Sequence, residues 1–280
     1  MTQLKDILVH LDGTEASALR LRLAAGLARR HGAHLAGLFV IDVAWPVFAG
    51  EGASANAVST VLGRMRDEAQ ERAREVEALF RETLRREAVE GEWRLGEGET
   101  ASLVALHARY ADLVVLGQTQ PGGPPLASAV LEEVLFTSGR PLLVVPYAGR
   151  FNSLGERVLI GWNASREAAR AVNDALPLIA AASTTTVLAI NPRRGEGGHG
   201  AEPGADIALH LARHGLKVEV ENIVAAGISE ADTLLNRAAE LGADLMILGG
   251  YGHSRLREMV LGGVTRSLLQ SMTVPILLSH

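Results

Sequence analysis

Ala111-Asp112-Leu113-Val114-Val115-Leu116-Gly117 recurs as Ala243-Asp244-Leu245-Met246-Ile247-Leu248-Gly249. Each copy is a short run, apolar on nearly every residue, entered through Ala-Asp and left through Gly. That is the pattern of a strand buried on both faces of a parallel sheet. Working outward, the residues on either side repeat in the same order. Upstream, Asp6-Ile7-Leu8-Val9-His10-Leu11-Asp12-Gly13-Thr14 corresponds to Arg157-Val158-Leu159-Ile160-Gly161-Trp162-Asn163-Ala164-Ser165, 151 residues later, and Val40-Ile41-Asp42 to Ala189-Ile190-Asn191, 149 later. Downstream, Pro141-Leu142-Leu143-Val144-Val145 corresponds to Pro275-Ile276-Leu277-Leu278-Ser279, 134 later. Because the offset falls from 149 to 132 at the Ala-Asp run, the first half carries 17 more residues, placed within Trp45 to Gln70, where a glycine-containing loop precedes a charged helix.

Each half reads as five strands alternating with helices. The strands are expected near 6–11, 35–41, 90–95, 112–117 and 141–146, then 157–162, 185–190, 217–223, 244–249 and 275–279. The fold class is therefore α/β: two tandem open-sheet sandwiches, Rossmann-like, each with five mainly parallel strands and helices on both faces. The first covers 1–150 and the second 151–280, joined by a short linker near Ala148 to Gly155. A ligand belongs beyond the carboxyl ends of the strands, where strand order reverses. Those ends carry Asp12, Asp42 and Gly117 in one half and Asn163, Asn191 and Gly249 in the other.

Composition bounds the functional classes. Of the 280 residues, 48% are hydrophobic and 21% charged, as in a soluble globular chain. The net charge of -5 and the scattered basic residues argue against nucleic acid as a partner. Cysteine is absent, so disulfides and thiolate metal sites are excluded. The segment from Met1 to Asp6 has no basic start followed by a long apolar stretch, which sets the expectation of a cytoplasmic protein. The longest uncharged stretch, Ala175 to Pro192, contains Pro177 and Ser183-Thr184-Thr185-Thr186, and reads as helix end, turn and strand rather than a membrane span.

The most specific chemistry lies in Leu248-Gly249-Gly250-Tyr251-Gly252-His253-Ser254-Arg255 and its continuation to Gly262-Gly263-Val264-Thr265. Glycines at 249, 252 and 262 let backbone N–H groups approach an anion, and a helix starting after Gly262 adds its unpaired N–H groups and the positive end of its dipole. Ser254, Thr265, His253 and Arg255 supply hydroxyls and positive character nearby. The spacing Gly249-x2-Gly252-x9-Gly262, set after one strand and before a helix and a last strand at Pro275, resembles the nucleotide signature of the universal stress protein family. The resemblance extends over essentially the whole chain as two modules.

The resemblance implies that Asn163 and Ala189 meet the base and sugar of ATP, with ADP or AMP as alternatives. It implies further that Gly249, Gly252, His253, Ser254, Gly262, Gly263, Val264 and Thr265 surround the phosphates. Two residues depart from the family pattern. Asn163 stands where Asp is usual, keeping a carbonyl acceptor but losing the charge. Gly263 stands where Ser or Thr is usual, and a lost hydrogen bond to a charged phosphate is worth about 1.5–3 kcal/mol. The resemblance also implies that the last strands, 141–146 and 275–279, meet within the chain as a pseudo-dimer; association of two chains stays open.

In the first half Asp12 and Val40 fit the base-binding end, but Gln118-Thr119-Gln120-Pro121-Gly122-Gly123-Pro124-Pro125 replaces the glycine loop, and Ser128-Ala129 aligns with Gly262-Gly263. Proline has no N–H to offer, so this half is expected to be a structural partner. His31 with His34, and His210 with His214, lie beside Gly32 and Gly215 and read as helix C-terminal residues rather than metal ligands. The alternating charges from Glu68 to Glu90 read as a solvated helix face. No GxxxxGK[ST], HExxH or GxSxG motif occurs. The expected function is a stress-response protein that binds an adenine nucleotide in its second half and catalyses at most slow hydrolysis. The alternative is a module of the same fold that works through protein contacts alone.

Overall fold

The computed structural model describes residues 3–42, 55–120, 126–192, 202–250 and 263–280. Its elements, in chain order, are β1 (Asp6–His10), α1 (Glu15–His31), β2 (His34–Ile41), α2 (Ala55–Glu87), β3 (Gly91–Glu97), α3 (Thr100–Ala108), β4 (Leu113–Gly117), α4 (Leu126–Thr137) and β5 (Leu142–Val145) in the first half. The second half contains β6 (Arg157–Gly161), α5 (Arg166–Ile179), β7 (Thr184–Ile190), α6 (Ala205–Arg213), β8 (Val218–Ile223), α7 (Glu230–Glu240), β9 (Leu245–Gly249), α8 (Gly263–Ser271) and β10 (Ile276–Ser279). All ten strands fall within a residue or two of the sequence expectation.

The repeated motifs have local physical causes. Asp112 Oδ2 accepts the backbone N–H groups of Lys5 and Asp6, while the Asp112 N–H donates to Asp6 O. Asp244 does the same for Gly155, Glu156 and Arg157. The Ala-Asp pair thus ties the start of the fourth strand of each half to the start of the first. At the other end of the first strand, the Thr14 N–H donates to Asp12 Oδ1 and Thr14 caps α1 through the N–H of Ser17; the Ser165 N–H donates to Asn163 Oδ1 and Ser165 caps α5 through Ala168. Asp-Gly-Thr and Asn-Ala-Ser are therefore Asx turns feeding N-caps.

Both halves have the internal strand order third, second, first, fourth, fifth, and they join into one ten-stranded sheet ordered β3-β2-β1-β4-β5-β10-β9-β6-β7-β8. Every pairing is parallel except β5 with β10, which is antiparallel, with Leu277 opposite Leu143. Two apolar layers cover the sheet. One lies beneath α1, α2, α5 and α6, and the other beneath α3, α4, α7 and α8. Leu142, Leu143 and Val144 on one side of the junction, and Ile276, Leu277 and Leu278 on the other, are completely buried, so the seam is a continuation of the core.

The stretch from Ala175 to Pro192 is helix end, turn and strand, as expected: α5 ends at Ile179 with Pro177 inside its last turn, and β7 follows from Thr184. Proline removes the bond its N–H would make to Asn173 O. Asn173 is exposed, where water can solvate that carbonyl, and the buried Leu178 and Ile179 hold the turn against the core. Of the stretch that holds the extra residues of the first half, 45–54, with its expected glycine-containing loop, lies outside the described residues, and the remainder belongs to the 33-residue helix α2, whose outer face carries same-helix pairs such as Arg81 with Glu77. Among the described residues, no helix is long and apolar enough to cross a membrane.

Candidate functional site

Strand order reverses where β1 lies between β2 and β4, and again where β6 lies between β7 and β9. In the first half a cavity of about 440 Å³ opens there, over the carboxyl ends of β1, β2 and β4, and is closed by α1, α2 and α4. Leu11, Phe39, Val40 and Leu116 form apolar walls, and His10, Asp12, Arg20, Asp42, Arg72 and Gln118 supply the polar groups. This half was expected to be structural.

Arg20 organises the cavity. It lies on the core-facing side of α1, and its side chain is 3% exposed. Its Nε donates to His10 O at 2.7 Å and its Nη2 to Asp12 Oδ2 at 3.1 Å. The guanidinium lies against Gly117, where an added Cβ would sit 1.8 Å from Nη1. A sequence signal for Arg20 existed: an arginine at a position of an amphipathic helix that should be apolar, aligned with the completely buried Ala171 of the second half.

Burial alone would raise the Asp12 carboxyl, but the Arg20 charge and the hydrogen bonds from Thr14 outweigh it and hold the group well below the usual carboxylate range. His10 is lowered to about 4, by burial first and then by Arg20, with Asp12 opposing. The imidazole is therefore neutral in the native state at pH 7. The unfolded chain takes up this proton near 6.5 and the native one only near 4, so stability falls as pH drops through that window. We expect about 2 kcal/mol to be lost between pH 8 and pH 5, and His10→Asn to remove most of this slope. Urea unfolding at the two pH values checks it, and equal slopes in both proteins would refute it. The Asp12 contribution is complete above the ordinary carboxylate pKa and disappears as pH falls further, below the histidine window.

Other polar groups at the strand ends are committed to structure. Asp42 Oδ2 accepts from the N–H and Oγ1 of Thr100, holding the start of α3. Asn191 Oδ1 accepts from Ala225 N. The buried Gln118 links the halves: its Nε2 donates to the carbonyls of Leu269 and Gln270 at the end of α8, while its Oε1 accepts the N–H of Tyr147. Sequence reasoning gave Gln118 only as a departure from the glycine loop, since the carbonyls it donates to lie in the other half.

Of the sequence-derived site residues in the second half, Gly252, His253, Ser254 and Gly262 lie outside the described residues. Asn163 is exposed at the end of β6, with its carbonyl engaged by Ser165. Ala189 is completely buried within β7, so only its backbone can reach a ligand. Gly249 ends β9, and a Cβ there would lie 2.4 Å from the Ala168 nitrogen in the first turn of α5. The glycine is thus required by helix packing, a reason different from the anion approach expected of it. Gly263 begins α8 in the open, with nothing within 4 Å of an added Cβ. Val264 is 39% exposed and Thr265 only 8%, so the Thr265 side chain packs inward. Of the histidine pairs, the buried His31 ends α1 just before the capping Gly32, His34 instead begins β2, and the rings of His210 and His214 meet edge to face 4.8 Å apart. No group of three metal-ligating side chains occurs among the described residues.

Comparison with known proteins places this geometry. The model of the universal stress protein family matches twice, over residues 3–146 and 155–280. Universal stress protein Slr1230 of Synechocystis is 37% identical over 68 residues, which are 24% of this chain and 22% of that protein. Universal stress protein YxiE of Bacillus subtilis is 41% identical over 61 residues, 22% of this chain and 40% of that protein. The chain thus spans less than half the length of these curated relatives. A universal stress protein from Archaeoglobus fulgidus superimposes with a TM-score of 0.75 over 98% of this chain and 95% of its own, and at 19% identity this likeness concerns the fold alone.

Proposed function

This chain belongs to the universal stress protein family, and we propose that it is a regulatory protein of the stress response that binds an adenine nucleotide, ATP, in its second half and is not an efficient enzyme. One observation carries the reading. The Gly249-x2-Gly252-x9-Gly262 segment joins β9 to α8, and α8 opens at an exposed Gly263 with free space above it. Because β9 and the following β10 are parallel, α8 runs back across the sheet, and its N-terminus stands at the edge that bears Asn163 and Gly249. Unpaired helix N–H groups and the dipole favour a phosphate there. Backbone groups of Gly249 and Gly263 would hold the phosphates, and the amide of Asn163 and the backbone of Ala189 would meet the sugar and base. Bound Mg2+ would offset the charge of the phosphates.

Binding to the native state alone stabilises it by about 2.7 kcal/mol at a hundredfold excess over Kd. Millimolar ATP with Mg2+ is therefore expected to raise the thermal midpoint by several degrees. Gly263→Ser restores a hydroxyl without a clash and should tighten binding about tenfold or more. Absence of any shift with ATP, in the native protein and in the Gly263→Ser protein alike, would sink the proposal.

A second reading, the same fold acting through protein contacts without nucleotide, has one observation in its favour. The exposed first-turn residues of α8, Gly263 and Val264, carry no hydroxyl, and that of Thr265 is buried. Under this reading Gly263→Ser changes nothing in the presence of ATP. Phosphate release that Gly252→Val abolishes would point instead to an enzyme.

A further inference from the structure

A groove of about 720 Å³ lies between α1 and the segment 150–156 that links the halves. Its floor is apolar, formed by Leu23 and Phe151, both partly exposed and packed on the core, and by the buried Leu154. Its rim carries four arginines, Arg22, Arg29, Arg30 and Arg150, against two carboxylates, Glu87 and Glu156. From Leu19 to Arg30 the helix wall is about 16 Å long.

Ordinary surface chemistry accounts for part of this. Arg29 and Arg30 end α1, where cations favour the helix dipole. Arg29 pairs with Glu87 at 2.6 Å, and Arg30 Nη1 donates to Leu154 O at 2.7 Å. Arg22, in the middle of the helix, and Arg150, on the linker, are not explained this way, and among the described residues neither forms an ion pair. The solvated face of α2 looks different: four of its seven arginines, Arg74, Arg81, Arg85 and Arg86, pair with glutamates of the same helix. Helix α1 has a single acid, Glu15, in a chain of net charge -5. The equivalents of Arg22, Arg29 and Arg30 in the second half are Asn173, Ala180 and Ala181, so the fold does not require the cations.

Gly26 is the third unexplained feature. A glycine inside a helix forgoes about 1 kcal/mol relative to alanine, and here an added Cβ would meet nothing within 4 Å. The position has no steric need for glycine, yet it leaves the groove open between Arg22 and Arg29. Burial also lowers Arg30, with Asp244 and Glu156 opposing, so an anion close to it would relieve a partly desolvated charge.

We propose that this groove binds an organic anion with an apolar body, its phosphate or carboxylate held by Arg22, Arg30 and Arg150 and its body lying over Gly26, Leu23 and Phe151. The volume falls within the range of small-molecule sites, and the site is separate from both strand-end crevices. The test uses the full chain and 1-anilinonaphthalene-8-sulfonate, an aromatic anion that fluoresces when it is bound in apolar surroundings. One saturable site is expected. The Arg22→Ala/Arg150→Ala protein should bind it at least tenfold more weakly, and Gly26→Leu should fill the floor and abolish binding. Neither change should alter the unfolding midpoint of the free protein by more than a few degrees. Octyl phosphate or octanoate should displace the probe, the stronger competitor identifying the preferred headgroup, and octanol should not. No saturable binding, undiminished binding in the double variant, or displacement by octanol as readily as by the anions would each overturn the proposal.

Discussion

Asp12→Ala is expected to lower the unfolding free energy by about 3 kcal/mol, although the carboxylate it removes is 42% exposed. The cost arises at the other partner. Arg20 remains 3% exposed with one neutral acceptor, His10 O, and a buried charge without its counterion is expensive. The solvent exposure of Asp12 keeps the figure at the lower end of the range for breaking such a pair. Part of the loss in Asp12→Ala also comes from the Asx turn, because Oδ1 accepts from Thr14. Asp12→Asn separates the two effects: it keeps that acceptor, as Asn163 does in the second half, and isolates the charge, at about 2 kcal/mol. The Asp12→Ala/Arg20→Met protein should recover most of the loss, since an apolar pair can replace a buried ionic one. Urea denaturation at pH 7 measures all three. A loss below about 1 kcal/mol in Asp12→Ala, or a double variant as unstable as the single one, would show that Arg20 finds compensation elsewhere.

The second large effect is expected at Gly249. Alanine there places a Cβ 2.4 Å from the Ala168 nitrogen and 2.7 Å from the Glu167 carbonyl carbon. Both are backbone atoms of a capped helix turn and cannot rotate away. Helix α5 must shift from β9, at a cost of about 3 kcal/mol. Gly263→Ala, with no neighbour to meet, should be neutral or slightly stabilising, since alanine is the better helix former. The comparison matters for function because both positions belong to one glycine-rich run. If Gly249→Ala melts as the native protein does in the absence of ligand, the steric account is wrong and the glycine is there for a bound anion after all. If it melts far lower, loss of nucleotide binding in that variant says nothing about phosphate contact, and Gly263 becomes the position at which to test it.

The two halves have diverged around one shared space. Over the glycine that ends the fourth strand, the first half places the guanidinium of Arg20 and the second places the backbone of α5. The first half thereby carries an internal ion pair at its strand-end crevice, while the second has Ala171 at the equivalent position and a glycine run that continues into α8. Gln118 connects the two, reaching from the crevice of the first half to the last carbonyls of α8. A ligand held at the N-terminus of α8 would therefore act on a helix whose other end is tied to the first half.

By itself the sequence determined the repeat, the strand positions, the Asx turns and the alternation of strand and helix. These follow from short-range needs, such as Thr14 and Ser165 capping the helices they precede and apolar runs too short for anything but buried strands. It also located the glycine run, because close approach to backbone demands glycine at particular spacings. Only the tertiary structure decided what those residues touch. The reason for Gly249 lies in α5, which begins 83 residues earlier; the carbonyls to which Gln118 donates lie 151 and 152 residues away; and the arginine groove exists because the linker folds back over α1. Contacts of that range depend on how the layers stack, and neither periodicity nor local propensity encodes the stacking directly.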